Sequence, residues 1–185
     1  MLSLPNNRVE SLPRRLLRKQ TKLLEFDARG NNIQHIATRA FRKNTKLQRL
    51  RLSRNQLTEI SPTLFKTNTD LREIHLDYNQ ITKLSPTTFL NCRQLKRLNL
   101  EGNHLTKIPR GIFLASTRLV EVNLSNNRLT TLPNDLFDGQ LYLEEVWLNG
   151  NPELPSTLTL GAYVNPTSIN RLKQLLDVFS KPKHV

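Results

Sequence analysis

Apolar positions recur along the chain in fixed columns, and the step between equivalent positions is 24 residues. A polar column marks the step most clearly: Asn7, Asn31, Asn55, Asn79, Asn103, Asn127 and Asn151. The residues around each asparagine read LxxLxLxxNxL, as in LQRLRLSRNQL from Leu47, LREIHLDYNQI from Leu71 and LKRLNLEGNHL from Leu95. Alternation of apolar and polar residues across LxL is the pattern of a strand with one buried and one solvated face. Each asparagine falls where its strand gives way to a turn, and its amide can both donate to and accept from backbone groups the turn leaves unpaired. A second apolar column runs Leu12, Ile36, Ile60, Leu84, Ile108, Leu132, and a third runs Leu17, Phe41, Phe65, Phe89, Phe113, Phe137. The large rings of the third column are expected to fill the wider, loop-built side of each coil. A fixed period of this length predicts a solenoid, in which each unit buries its apolar face only against its neighbours. These columns build the fold, so function is sought on the surface they leave outside.

The segments resemble the leucine-rich repeat family. LVEVNLSNNRL from Leu119 and LLEFDARGNNI from Leu23 fit as well, the latter with Phe26 and Ala28 at leucine positions. The repeat length and the late phenylalanine look like the typical class of that family, and the resemblance covers roughly residues 2 to 151. It implies an α/β fold: a right-handed solenoid with a curved parallel sheet of about seven strands, one per asparagine. It also implies a non-enzymatic module that binds a protein partner on its concave face. The repeat breaks down after Asn151, where Glu153 and Ser156 occupy apolar columns and Gly161 replaces the phenylalanine. The chain therefore divides into repeats over residues 1–151, the first one partial, and a C-terminal cap over residues 152–185. Asn165, Pro166, Thr167 and Ser168 read as a helix start, and Ile169, Leu172, Leu175, Leu176 and Phe179 follow at helical spacing with Pro182 beyond them. A capping helix near residues 167–180 is expected, because the last coil of a solenoid needs covering.

Cysteine usage bears on the compartment. Cys92 is the single cysteine, so no internal disulfide can form, whereas extracellular members of the typical class resemble one another in disulfide-bonded caps. A reducing environment is expected, either a cytosol or, for a bacterial effector, the cytosol of a host cell. Its own column, otherwise Asn44, Asn68, Ser116 and Gln140, makes Cys92 a turn residue rather than a reactive thiol. No run of 18 apolar residues exists, and Leu2, Leu4, Asn7 and Val9 already stand in register with the repeat, so neither a membrane span nor a signal segment is expected. The first strand is then expected at an open sheet edge. There is no Gly-rich phosphate loop, no metal-spaced cluster and no nucleophile motif, and His35, His75, His104 and His184 share no column. No catalytic residue, metal or cofactor is expected.

The net charge of +13 suggests nucleic acid until the charges are sorted by column. The outward positions of the inner strands, from Leu23 onward, hold seven cations and eight anions, which leaves +14 for the remaining surface. A phosphate-binding inner groove is therefore disfavoured, and nucleic acid with it. One inner column alternates in sign, Glu25, Arg49, Glu73, Arg97, Glu121, then Glu145, and can pair across neighbouring strands. The next column does not repeat: Asp27, Arg51, His75, Asn99, Asn123, Trp147, with Asp77, Tyr78 and Glu101 beside it. Tryptophan, tyrosine and arginine are the residues that anchor protein interfaces, so these nine are the candidate partner-binding face. Outside, the repeat stacks Arg15 with Arg39, Arg18 with Arg42, Lys19 with Lys43 and Lys22 with Lys46. This convex basic patch supports the alternative reading, a binder of an anionic membrane surface or nucleic acid, and leaves peripheral membrane contact open.

Overall fold

The computed structural model describes residues 1–159, 162–163 and 166–180. Seven short strands form the inner face in parallel: β1 (Leu2–Ser3), β3 (Glu25–Asp27), β5 (Arg49–Arg51), β6 (Glu73–His75), β7 (Arg97–Asn99), β8 (Glu121–Asn123) and β9 (Glu145–Trp147). Each residue pairs with the residue one repeat further on, as Phe26 with Leu50 and Leu50 with Ile74. The sequence period and the pairing register are thus the same number. Two further strands, β2 (Ser11–Leu12) and β4 (His35–Ile36), pair in parallel as a separate small sheet. Turns rather than helices carry the chain around the outside of each coil, closed by bonds from an amide to the carbonyl three residues back, such as Asn68 N to Phe65 O at 3.1 Å.

The core is continuous along the stack. Phe41, Phe65, Phe89, Phe113 and Phe137 are all buried, and Phe65 lies stacked on Phe89 with centroids 6.1 Å apart. The asparagine ladder forms as the amide chemistry requires. Asn79 accepts from Leu57 N at 3.0 Å and donates to Leu52 O at 3.1 Å and Leu76 O at 2.9 Å, so one side chain ties two coils together.

A second ladder runs through the column of Cys92. Asn68 donates to Phe41 O and Asn44 O, Gln140 to Phe113 O, and Ser116 to Cys92 O. All these residues are buried, so the column is an interior one and not merely a tolerant turn position. Burial pushes the Cys92 thiol up to about 12, which keeps it protonated and unreactive.

The C-terminal segment is more elaborate than a lone helix. A short helix α1 (Ser156–Thr159) leads to β10 (Ala162–Tyr163), which adds an eighth, antiparallel strand beside β9, and α2 (Pro166–Ser180) follows. Ile169, Leu172 and Leu176 of α2 are buried in the same cluster as Leu148. Gly161, Asn165, Pro182 and His184, with the side chains of Ser168 and Phe179, lie outside the described residues. Among the described residues no helix is long and apolar enough to cross a membrane.

Candidate functional site

The strands aim alternate side chains outward, so the concave surface is a grid of two columns whose members meet the next coil one repeat away. In the first column charges pair across strands. Arg49 Nη2 lies 2.9 Å from Glu25, and Arg97 bridges Glu73 at 3.4 Å and Glu121 at 2.7 Å. Arg51, from the second column, also reaches Glu25. Covered by two arginines, Glu25 is buried rather than solvent-facing.

The second column behaves differently from its sequence reading. Asp27 is only 2% exposed, so it belongs to the fold and not to the partner-binding face. Arg29 folds over it, with Nη2 2.9 Å from Oδ2, and the Arg29 amide bonds Oδ1 at 3.1 Å. Asn99 and Asn123 do the same local work, accepting from the amides of Glu101 and Ser125 at 3.0 and 2.9 Å. A polar residue here closes a turn two residues on, which is a folding reason for part of the column's chemistry.

The remaining candidates come together. Arg51, His75, Asp77 and Asn99 line one shallow depression with Pro5, Asn6, Arg29, Gly30, Ser53 and Arg54. A second holds Trp147 and Asn123 with Arg97, Leu98 and Glu121. The two share His75 and Asn99, so one groove runs from Pro5 to Trp147. Trp147 is half-buried at the end of the parallel run, where β10 rather than a helix is its backbone neighbour.

Tyr78 stands on the rim, and the reason for its posture is a turn requirement the sequence reading missed. The residue before each repeat asparagine is left-handed: Asn6, Gly30, Arg54, Tyr78, Gly102, Asn126 and Gly150 all have φ between 52° and 71°. Glycine or asparagine suits that conformation, whereas arginine and tyrosine adopt it at a cost of about 1 kcal/mol. The absence of a side chain at Gly102 makes room for the ring, because a Cβ there would meet Tyr78 Cδ1 at 2.7 Å. The Arg54 guanidinium sits 4.9 Å from the ring centroid on the other side. The phenol donates to Glu101 Oε1 at 2.7 Å, and Glu101 is held in turn by Asn123 and Asn126. Arg54 therefore joins the site, and its signal in the sequence was the column of Gly and Asn that Arg54 and Tyr78 interrupt.

His75 is the titratable group at the centre of the groove. Burial holds its pKa below the usual imidazole range, against the opposing pull of Asp77 and Glu73. On acidification the unfolded chain takes up the proton first, so stability is full above about pH 6.5 and falls as the pH drops from there toward the folded-state pKa. His75→Gln is expected to flatten that part of the curve, measured as urea midpoints between pH 7.5 and 5. Superimposable curves for parent and variant would count against the burial of this ring.

On the convex side, Arg14, Arg15, Arg18, Arg39, Arg42 and Lys43 line a depression of about 260 Å³. Five of the eight patch residues expected from sequence, Arg15, Arg18, Arg39, Arg42 and Lys43, thus gather in it together with Arg14. Lys46 is drawn to Asp70 at 3.9 Å, while Lys19 and Lys22 are exposed outside the depression.

A family model described as Leucine rich repeat matches residues 1–57, 45–105 and 93–152. Among solved structures, the crystal structure of a TLR13–ssRNA13 complex is similar, with a TM-score of 0.75 and 26% identity over 83% of this chain. This chain spans 23% of the length of that one. The similar structure is a complex with single-stranded RNA, so the expectation from sequence that nucleic acid is disfavoured is not supported by this likeness. No curated protein matches the chain.

Proposed function

The chain belongs to the leucine-rich repeat family, whose fold commonly serves as a binding module, and from that premise we propose that it binds a protein partner in its concave groove and performs no covalent chemistry. The observation that carries this reading is Tyr78. A ring 42% exposed is fixed between Arg54, Gly102 and Glu101 on a left-handed backbone where five of the seven turns use glycine or asparagine. A rigid aromatic offers contact area at little entropic cost, as interface anchors do. Arg51, His75 and Trp147 extend the surface along the groove, and Asp77, Asn99, Glu101 and Asn123 supply its polar rim.

A photo-crosslinking residue placed at Tyr78, and separately at Leu114 on the convex side, identifies the partner and its face. Affinity for that partner is then measured for Tyr78→Gly. The substitution relieves the left-handed strain while losing only exposed contacts, so stability is expected to stay within about 1 kcal/mol of the parent. Binding is expected to weaken by about thirtyfold or more, the cost of losing a hot-spot residue. Crosslinking from Leu114 alone, with undiminished affinity in Tyr78→Gly, would move the function off the concave face.

A further inference from the structure

The convex depression combines two features that folding alone does not favour. It is lined wholly by cations, and among the described residues none of Arg14, Arg15, Arg18, Arg39, Arg42 and Lys43 forms an ion pair with a carboxylate. The repeat sets Arg15 against Arg39 and Arg18 against Arg42 on adjacent coils, and like charges on facing positions repel. A second depression, lined by Thr38, Arg39, Arg42, Thr63, Leu64, Lys66 and Thr67, shares Arg39 and Arg42 with the first. Together they make a channel along the solenoid axis over three successive coils.

We propose that this channel binds a sulfated polysaccharide. An elongated channel suits a linear polymer rather than a compact anion. Its arginines present paired donors that match the oxygens of a sulfate group. The hydroxyls of Thr38 and Thr63 complement a polymer that carries sugar hydroxyls between its charges. No aromatic side chain lines either depression, so the stacking that holds single-stranded nucleic acid has no platform here. A bilayer presents its charge as a plane and does not enter a recessed channel that crosses the coils. The inference is independent of the concave groove, whose residues lie on the other face of each coil.

The test uses the full chain with dextran sulfate, and with unsulfated dextran, single-stranded polyuridine and phosphatidylserine vesicles as comparisons. Arg15, Arg39 and Arg42 are exposed, so their combined replacement by serine is expected to leave the melting curve unchanged. At about 0.1 M salt the triple variant should bind dextran sulfate about thirtyfold more weakly, with a salt slope lower by about two to three. An equal loss of charge through Lys107→Ser, Arg110→Ser and Arg118→Ser should change affinity less than about threefold if the site is local. Equal weakening by the two triple variants overturns the proposal, as does tighter binding of polyuridine or vesicles than of dextran sulfate. Binding of unsulfated dextran at the same affinity also overturns it.

Discussion

Phe89→Ala is expected to destabilise the protein by about 3 to 5 kcal/mol, the usual cost of deleting a buried phenylalanine and leaving a cavity. Phe89 has no exposed surface and its ring stacks on Phe65. Its position adds to the cost, because a solenoid has only nearest-neighbour interfaces and a gap at the middle coil weakens both halves. The urea midpoint should fall well below that of the parent, and Phe89→Leu should recover part of the loss by refilling the space. A midpoint that does not move would mean that the phenylalanine column is not the continuous core described.

Asn79→Leu is expected to cost about 3 kcal/mol or more, although it introduces an apolar side chain into a buried position. Asn79 satisfies the amide of Leu57 and the carbonyls of Leu52 and Leu76, all buried, and leucine can satisfy none of them. The buried Leu57 amide is left without its acceptor, at a cost of about 1 to 3 kcal/mol, and Leu52 O and Leu76 O each lose one donor while keeping those of Asn55 and Asn103. The damage should be local before it is global, so hydrogen exchange at the Leu57 amide is the sensitive measurement. Unchanged protection at that amide would show that the ladder contributes less than its geometry implies.

The two substitutions test different things the sequence made legible. Phenylalanine at a constant step identifies a core column, because only a stack places residues so far apart in sequence on top of one another. Asparagine at the same step identifies a ladder, because its amide can serve a donor and acceptors of adjacent coils at once, with two N–H groups where a serine hydroxyl has one O–H. Other residues hid their roles behind the same period. Asp27 reads as outward-facing, yet Arg29 closes over it. Cys92 reads as a turn residue, yet its column is a second buried ladder. Tyr78 reads as one aromatic among polar neighbours, and its backbone angle gives the meaning of the Gly and Asn at the same position of other repeats: the turn demands a left-handed residue there.

Sequence by itself determined the stack, its register and its core, since side chains on a strand alternate faces and a one-residue slip would turn every leucine outward. It also determined which columns face the groove. The availability of an outward-facing side chain was decided by tertiary structure. Arginines long enough to reach an adjacent coil bury Glu25, a neighbouring glycine opens space for Tyr78, and β10 adds a flank beside Trp147. Those outcomes depend on the reach and rotamer of side chains from other coils and on an antiparallel strand outside the repeat, and neither is written in the period of the chain.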